Sequence, residues 1–384
     1  MESRKTPERK PFPRILFVSS VAGGGSGRSQ RELDAALRAR GVETLMLVDD
    51  QEGHFVGRFL HEQLWDASVR FKTAPVLSSS TRWLRSIPGR RARHESLDTS
   101  DVMVTMAPEN AFPDIAVEFR PDIVVASSIT RPAWRAICDA CADLELPTVL
   151  YLREEAALSH FEQSSSCIDL VLANSRTLVD GAADRGVKAE LVPSVVDLEA
   201  ARCTSSRDAV LLVNPISSHG INRVADLAAN FPTTSFVLQE SWPLSSEDRE
   251  IIDSLLGEFP NVSFRDRCDS PADVFRDAFL LLAPHEIDNR PRTVLEAQAN
   301  GIPVVASAQP GLVEAVGPGG ICVPVGAAPV EWRDAVGSLL SDPKAYTDLR
   351  TAATAHAGRP EVDNEQIVDR FLDLVSSVEP IVSV

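Results

Sequence analysis

Short apolar runs alternate with amphipathic segments along most of this chain, and the alternation predicts strands separated by helices. Residues 15–20 form a continuous apolar run, and residues 28–40 follow with a helical spacing of leucines. Gly41 suits the end of that helix, and residues 44–48 form the next apolar run. This order of strand, glycine-rich turn, helix and strand predicts a βαβ opening.

The same alternation continues in two successive runs. The predicted strands are 123–126, 148–152, 170–173 and 191–193 in the first run, and 210–213, 235–238, 262–264, 280–283 and 304–306 in the second. The other predicted helices are 131–144, 221–230, 246–258, 271–277 and about 364–378. Residues 51–110 have a less regular pattern, with a basic patch at Arg82, Arg85, Arg90, Arg91 and Arg93.

Two such runs predict an α/β protein with two Rossmann-like, doubly wound domains. Ligands of these folds bind at the carboxyl ends of the strands, so we expect the site in a cleft where the two domains face each other. The predicted organisation is a disordered tail over 1–13, a first domain over 14–203, a second domain over 204–362, and a C-terminal segment over 363–384. We expect the helix of that last segment to pack back on the first domain.

Composition narrows the class of protein. Apolar content of 44% and charged content of 24% are typical of a soluble globular protein. A formal net charge of −17 argues against nucleic acid or anionic lipid as the main partner. No apolar run is long enough to span a bilayer, and the polar N-terminus has no signal-peptide core.

The six cysteines show no framework spacing, which indicates reduced thiols and a cytoplasmic location. Cys138 and Cys141 form a C-x-x-C pair inside a predicted helix, and we interpret them as small packing residues. His285-Glu286 resembles the start of a zinc-protease motif but lacks its second histidine, so we predict no metal there.

The segment 288–316, DNRPRTVLEAQANGIPVVASAQPGLVEAV, carries the most specific pattern. Asp288 and Glu296 are separated by seven residues, and a small-residue helix and the run Gly301-Ile302-Pro303-Val304-Val305-Ala306 follow. This resembles the nucleotide-sugar site of retaining glycosyltransferases of family four, which have the GT-B fold. The family usually has Glu where this chain has Asp288, so the chain resembles an atypical member.

The resemblance implies a donor domain in the second half and an acceptor domain in the first. Glu296 would accept hydrogen bonds from the donor's ribose hydroxyls, and Asp288 would face the sugar ring, because a carboxylate is a double acceptor. Pro291 removes one backbone donor that the family offers to the sugar, for which Arg290 and Arg292 could substitute. The further donor-binding positions that the resemblance implies are Asn289, Thr293, Val294 and Gly311.

The glycine cluster after the first strand has two interpretations. Gly24-Gly25 stands where the family carries Gly-Gly, and such glycines let a backbone approach a ligand. A dinucleotide fingerprint is the alternative, with Asp49 as the ribose acid, but its third glycine would fall at Gln30.

A third segment, 214–220, resembles the family stretch that carries an arginine and a lysine for the donor diphosphate. Here Asn214 lies in the arginine region and His219 takes the lysine position. A charge about 4 Å from a phosphate is worth roughly 4 kcal/mol at an effective dielectric of 20, so this substitution matters. Arg223 follows His219 by four residues, on the same predicted helical face, and we hypothesise that Arg223 or Arg292 compensates.

In the first half, Arg153 and Glu154 follow a buried strand, where family members place a polar residue facing the sugar. With Asp288 and His219 they complete the candidate catalytic set. The implied reaction is sugar transfer from a nucleoside diphosphate, UDP or GDP, with retention of configuration. The departing diphosphate would help to take the acceptor's proton, and no metal or other cofactor is required.

Several alternatives stay open. The same fold supports epimerases of UDP-sugars and phosphorylases, and the departures at Asp288, Pro291 and His219 leave room for a non-catalytic nucleotide-sugar binding protein. An NAD(P)-dependent oxidoreductase is a further alternative. The expected partners are a nucleotide-sugar donor and an acceptor, with a small soluble acceptor of secondary metabolism favoured. The oligomeric state is left open, with a homodimer as one option.

Overall fold

The computed structural model describes residues 12–20, 24–49, 92–97, 100–105, 107–160, 167–242, 244–268 and 270–378. These residues form two parallel-type sheets with helices on both faces. The predicted tail therefore lies almost wholly outside the described residues, as do Arg82, Arg85, Arg90 and Arg91 of the basic patch.

The first sheet has eight strands in the order β3-β4-β2-β1-β5-β6-β7-β8. All neighbours pair in parallel except β3 with β4, which are antiparallel. The strands are β1 Ile15–Ser19, β2 Thr44–Asp49, β3 Arg93–Leu97, β4 Ser100–Thr105, β5 Ile123–Ser127, β6 Thr148–Leu152, β7 Leu170–Ala173 and β8 Glu190–Leu191.

The second sheet has six parallel strands in the order β11-β10-β9-β12-β13-β14. Its strands are β9 Ala209–Val213, β10 Ser235–Gln239, β11 Val262–Arg265, β12 Ala278–Ala283, β13 Val304–Ser307 and β14 Gly320–Val323. The two sheets and their flanking helices confirm the predicted α/β class with two doubly wound units.

Twelve α-helices cover the sheets in the part of the chain that the structure describes. They are α1 Gly24–Ala39, α2 Pro108–Phe119, α3 Arg131–Asp143, α4 Arg176–Ala183, α5 Arg223–Asn230, α6 Ser246–Glu258, α7 Pro271–Val274, α8 Arg292–Ala299, α9 Pro310–Val316, α10 Pro329–Ser341, α11 Pro343–Ala357 and α12 Asn364–Ser376. Short 3-10 turns include Ser217–His219.

Side chains alternate across each strand and so feed two cores per sheet. In β1, Leu16 and Val18 join the core under α2 and α3, whereas Ile15 and Phe17 join the opposite core under α1. Helix α12 completes that second core, and the Phe17 and Phe371 rings stack with centroids 6.2 Å apart. The last described helix therefore packs on the first sheet.

Several predicted elements differ from the structure. The prediction of little regular structure over 51–110 is wrong for its described part, which contains β3, β4 and the start of α2. Strand β3 was missed because its sequence, RHESL, is polar and lies at the antiparallel edge of the sheet. Helix α1 starts at Gly24, four residues before the predicted start. The predicted helix 271–277 ends at Val274, and β12 begins at Ala278.

Candidate functional site

The candidate site is built from loops and helix starts that follow the carboxyl ends of strands in both sheets. Arg153 follows β6 and Asn174 follows β7, while Asn214 follows β9 and His285 comes shortly after β12. Arg290, before α8, donates from Nη1 to the Asn174 carbonyl oxygen at 3.4 Å. The two sets of strand ends thus face each other, as expected for a cleft between two such sheets.

Glu296 lies in the second turn of α8 with only 5% of its side chain exposed. One of its oxygens, Oε1, accepts a hydrogen bond from Nε of Arg292 at 2.9 Å. The same guanidinium reaches across the cleft to α1, where Nη2 contacts both Glu32 oxygens at 2.8 and 2.9 Å and Nη1 contacts the Ser29 hydroxyl at 3.2 Å. Arg292 therefore joins two carboxylates from the two halves of the chain.

Charge and burial oppose each other at Arg292. Burial lowers the pKa of Arg292, but the charges and hydrogen bonds of Glu296 and Glu32 outweigh it and leave the pKa raised. In this arrangement the guanidinium is already engaged by acids. Its predicted role as a cation for the donor diphosphate stays a prediction, and that role requires Arg292 to leave the network.

The glycine pair lies at the start of α1, not in a loop before it. Gly24 has φ +65°, a value that favours glycine, and a side chain there would meet the Trp242 ring at 3.6 Å. A side chain on Gly25 would meet Arg292 at 3.7 Å. The pair thus permits close approach between the first turn of α1 and the second half of the chain. Its predicted contact with the donor remains untested.

His219 lies in a compact aromatic group. Its ring stacks on His285 with centroids 4.0 Å apart and an interplanar angle of 9°, and meets Trp242 edge-on at 5.5 Å. Burial, together with the charge of His285, lowers the pKa of His219 to about 3. Burial lowers the pKa of His285 to about 4, opposed by a hydrogen bond with Asn289. Both imidazoles are neutral at pH 7.

Asn214 holds an unusual backbone and an unsatisfied side chain. Its φ is +61°, in the left-handed region that Asn tolerates better than most residues. The side chain is 2% exposed, and neither its amide oxygen nor its amide nitrogen has a hydrogen-bond partner among the described residues. Nδ1 of His219 is likewise buried without a partner. Buried polar groups of this kind are satisfied by a ligand or water.

The prediction that His219 and Arg223 share one helical face is wrong. His219 ends a 3-10 turn, Gly220 then adopts φ +77°, and α5 begins only at Arg223. The Arg223 guanidinium lies 5.9 Å from the ring centre of Trp332, which belongs to the core formed with α10. Arg223 therefore lies near α10, and its role as a replacement for the missing lysine stays a hypothesis.

Asp288 is half-buried and holds the start of α9. Its Oδ1 accepts a hydrogen bond from the backbone N–H of Gly311 at 2.7 Å. Gly311 lies in the first turn of that helix, with Pro310 at its first position, where proline is favoured. A side chain on Gly311 would lie 2.7 Å from the Asn289 carbonyl oxygen, so glycine allows the two segments to meet.

The remaining predicted donor-binding residues cluster around α8. Oδ1 of Asn289 forms a hydrogen bond with Nδ1 of His285 at 2.8 Å. Arg290 is buried, forms an ion pair with Glu314 at 3.5 Å, and its pKa is lowered by burial. Thr293 and Val294 lie in the first turn of α8, but the Val294 N–H already donates a hydrogen bond to the Pro291 carbonyl oxygen at 3.3 Å.

Arg153 and Glu154 lie on the other wall of the cleft. Arg153 is 8% exposed, donates from Nη1 to the Ser194 hydroxyl at 3.1 Å, and stacks on the Tyr151 ring at 4.2 Å. Burial lowers its pKa, and the nearby charge of Arg292 adds to the effect. Glu154 keeps an exposed surface, but burial of part of its side chain raises its pKa, opposed by a hydrogen bond with Ser128 and by the charge of Arg153.

Several residues of the site were not found from the sequence. Glu32 is separated from Arg292 by 260 positions, and no local pattern connects them. Trp242 and Ser194 stand in irregular segments without a motif, and His285 was considered only as a metal ligand. Except for Glu32, each of these residues follows a predicted strand, and that position could have indicated that it lies at the cleft.

Two negative findings apply to the described part of the chain. There, no group of three or more His, Cys, Asp or Glu side chains is placed to hold a metal ion. No helix among those residues is long and apolar enough to cross a membrane.

Comparison with known proteins matches the part of the chain that contains α8. Residues 243–342 match the family model of group 1 glycosyl transferases, and this range contains Arg292 and Glu296. The D-inositol 3-phosphate glycosyltransferase 1 of Catenulispora acidiphila is 37% identical over 126 residues, which is 32% of this chain and 29% of that protein. The corresponding Corynebacterium urealyticum enzyme is 34% identical over 110 residues, 28% of this chain and 26% of that protein.

The chain thus spans less than a third of the curated relatives that it matches. Solved structures extend the likeness to nearly the whole chain. Anabaena HepE, in complex with UDP and glucose, superposes with a TM-score of 0.71 at 16% identity, over 95% of this chain and 99% of that chain. Sucrose-phosphate synthase from Thermosynechococcus elongatus gives 0.73 at 15% identity, over 94% and 98%. Identities this low show the fold alone, and that fold is GT-B.

Proposed function

We propose that this chain, which carries a group 1 glycosyl transferase segment on a GT-B fold, transfers a sugar from a nucleoside diphosphate donor to an acceptor hydroxyl with retention of configuration. The observation that carries the proposal is the position of Glu296. Its carboxylate lies in the second turn of α8, in the cleft and within the segment that matches the family. Such a carboxylate can accept hydrogen bonds from both vicinal hydroxyls of a ribose.

Arg292 sets a condition on donor binding. Because Oε1 of Glu296 accepts from Arg292, a ribose must use the other oxygen or displace the guanidinium. Displacement would free Arg292 to meet the diphosphate, a ligand for which a planar guanidinium is well suited. Donor binding and rearrangement of the Glu32–Arg292–Glu296 network are therefore expected to occur together.

The diphosphate would be met largely by neutral groups. Asn214 offers an unpartnered amide, and His219 is uncharged at pH 7. The start of α8 adds backbone N–H groups, including that of Thr293, which favour an anion. We expect hydrogen bonding here to replace part of the charge attraction that a lysine and an arginine provide.

The proposed chemistry is substitution at the anomeric carbon. The acceptor oxygen forms a new bond to that carbon on the face from which the diphosphate departs, and the bond from carbon to diphosphate oxygen breaks. The acceptor's proton passes to the departing diphosphate. Asp288, with one oxygen held by Gly311, would orient the sugar through the other, and catalysis would rest on positioning and electrostatic stabilisation.

UDP is our first choice of nucleotide, because HepE has been crystallised with UDP and UDP-glucose and shares this fold. We favour a small polar acceptor, since the curated relatives are named for D-inositol 3-phosphate. All six cysteines are free thiols, and we place the activity in the reducing cytoplasm.

Calorimetric titration tests the donor site. The wild type is titrated with UDP, GDP, ADP and TDP, and with NAD as the control for the dinucleotide alternative. We expect one nucleotide to bind and its affinity to fall at least tenfold in Glu296→Ala and Glu296→Gln, the loss of a charged hydrogen-bond acceptor. Glu250→Ala removes an exposed carboxylate from α6 and should bind like the wild type.

The outcomes separate the alternatives. Absence of binding by every nucleotide would contradict the proposal. Binding without release of nucleotide from UDP-sugars, across a wide acceptor panel, would favour a non-catalytic binding protein. Release of UDP with an altered sugar, in the absence of any acceptor, would identify an epimerase instead.

A further inference from the structure

Arg153 is a buried cation in the cleft that forms no ion pair with an acid among the described residues, although the charge of Glu154 acts on it. Its side chain is directed into the protein after β6, and only 8% of the residue is exposed. Its recorded contacts are the Ser194 hydroxyl at 3.1 Å and the face of Tyr151 at 4.2 Å. Its Nε is buried and has no hydrogen-bond partner in the described structure.

Two other arginines of the cleft form ion pairs. Arg290 has Glu314, and Arg292 has both Glu32 and Glu296. The acid next to Arg153 in sequence, Glu154, is exposed and bonds Ser128. Of these three arginines, Arg153 is the one that forms no ion pair with an acid among the described residues.

An uncompensated buried charge is costly, and arginine keeps its charge where lysine or histidine would give it up. The geometry that makes such a residue useful is the fork of N–H donors, which matches the oxygens of a phosphate or carboxylate. Tyr151 holds the plane of the guanidinium, and the Ser194 hydroxyl can donate its proton to the same anion. Together these groups have the donors and the charge that suit an anion.

The position of Arg153 indicates which substrate supplies the anion. Arg153 and Ser194 belong to the wall built by the first sheet, whereas Asn214, His219 and α8 belong to the second. The diphosphate is expected on that second wall. Resting on the function proposed above, we propose that Arg153 and Ser194 bind an anionic oxygen group, a phosphate or a carboxylate, carried by the acceptor.

Inorganic phosphate tests the anion site without knowledge of the acceptor. Thermal unfolding is measured with and without phosphate, in the presence of a saturating concentration of the nucleotide that binds. We expect phosphate to raise the unfolding temperature of the wild type, and the increase to vanish in Arg153→Gln and shrink in Arg153→Lys and Ser194→Ala. Arg185→Gln removes one exposed arginine from the same half of the chain and should keep the full increase.

Nucleotide affinity distinguishes the two sources of the anion. Unchanged nucleotide affinity in Arg153→Gln supports the acceptor. If that variant loses nucleotide binding, and saturating nucleotide abolishes the phosphate effect in the wild type, the anion is the donor's diphosphate and the proposal is overturned. It is also overturned if Arg153→Gln keeps the full phosphate effect, or if the wild type shows none.

Turnover with paired acceptors gives the decisive comparison. Glycerol, glucose and inositol are each assayed beside their phosphate monoesters. The wild type should prefer a phosphorylated member, and Arg153→Gln should lose roughly tenfold to a hundredfold in kcat/KM for it, the range for hydrogen bonds to charged groups. The loss for the neutral member should be clearly smaller than the loss for its phosphate monoester. If no nucleotide binds the wild type, the proposed function fails. The phosphate measurement can then be made without nucleotide, and the rise in unfolding temperature still shows whether Arg153 binds an anion.

Discussion

At the scale of single residues, burial decides the charge of the two stacked histidines of the candidate site. The stacked rings of His219 and His285 exclude water from each other, and burial lowers their pKa values to about 3 and about 4. The ordinary value is about 6.5. A neutral imidazole offers one donor and one acceptor, so His219 can serve a ligand by hydrogen bonding across the whole physiological pH range.

This charge state makes stability depend on pH. Below about pH 6.5 the unfolded chain takes up protons on these imidazoles, whereas the folded chain does so only near pH 4 and below. Acid therefore favours the unfolded state, and stability falls as the pH drops from about 6.5. For His219 the loss between pH 7 and pH 5 is about 2 kcal/mol.

Urea unfolding at pH 7 and pH 5 measures this loss. His219→Gln should lose about 2 kcal/mol less than the wild type between the two pH values. His94→Gln removes an exposed histidine from β3 and controls for the substitution itself. An equal loss in His219→Gln and the wild type would show that His219 does not carry the effect.

At the scale of elements, one arginine connects α1 to α8. Replacing Arg292 with Gln leaves Glu296, with 5% of its side chain exposed, without its cation, whereas Glu32 keeps its ion pair with Arg28 at 3.0 Å. We expect a loss of about 3 kcal/mol in unfolding free energy at pH 7, because breaking a buried ion pair strands the remaining charge. Glu32→Gln keeps the ion pair between Arg292 and Glu296 and should lower the unfolding free energy by clearly less. Equal stability of Arg292→Gln and the wild type would contradict this view.

The turn that presents His219 depends on Gly220. A side chain there would lie 2.1 Å from the Pro284 carbonyl oxygen, at a φ of +77°. Gly186 has a similar φ of +73° but nothing within 4 Å, so it isolates the cost of backbone strain. We expect Gly186→Ala to cost about 1 kcal/mol and Gly220→Ala about 3, since the second adds a steric clash.

Chemical denaturation gives both values, and nucleotide titration of Gly220→Ala shows whether the His219 group is displaced. Similar costs for the two glycines would mean that the segment at Pro284 moves aside easily.

Element boundaries show what the sequence could determine. Strand β6 and helix α6 were predicted at their observed bounds, because β6 is a continuous apolar run and the Ser245 side chain caps α6 by accepting from the Asp248 N–H. Helix α1 was predicted too short, since Gly24 and Gly25 are poor helix formers that tertiary approach to Trp242 and Arg292 makes useful.

The candidate site shows the same difference between features set by local sequence and features set by tertiary contacts. Glu296 and Asp288 were proposed from a local motif, and their roles stay predictions. The pairing of Arg292 with Glu32 depends on how two distant segments meet in space, which no window of sequence contains.

At the scale of the whole molecule, the first sheet depends on the last helix. Phe371 of α12 is fully buried against Phe17 of β1. Phe371→Ala should cost about 3–5 kcal/mol, the usual range for a large aromatic lost from a core. Hydrogen exchange should then accelerate in β1 and β2 while β9 and β12 stay protected.

Phe275→Ala is the matched control, because Phe275 is equally buried but belongs to the core of the second sheet. It should produce the reverse pattern of exchange. Uniform acceleration in both sheets of either variant would mean that the two halves unfold as one cooperative unit.

The return of α12 to the first sheet also has a consequence for synthesis. A chain leaving the ribosome presents β1 long before residues 364–376 exist, so the apolar face that α12 covers stays open while more than three hundred residues are added. The second sheet, by contrast, has all its strands by Val323 and can close first. Folding during translation would then run against the usual order, with the half made later finished before the half made earlier.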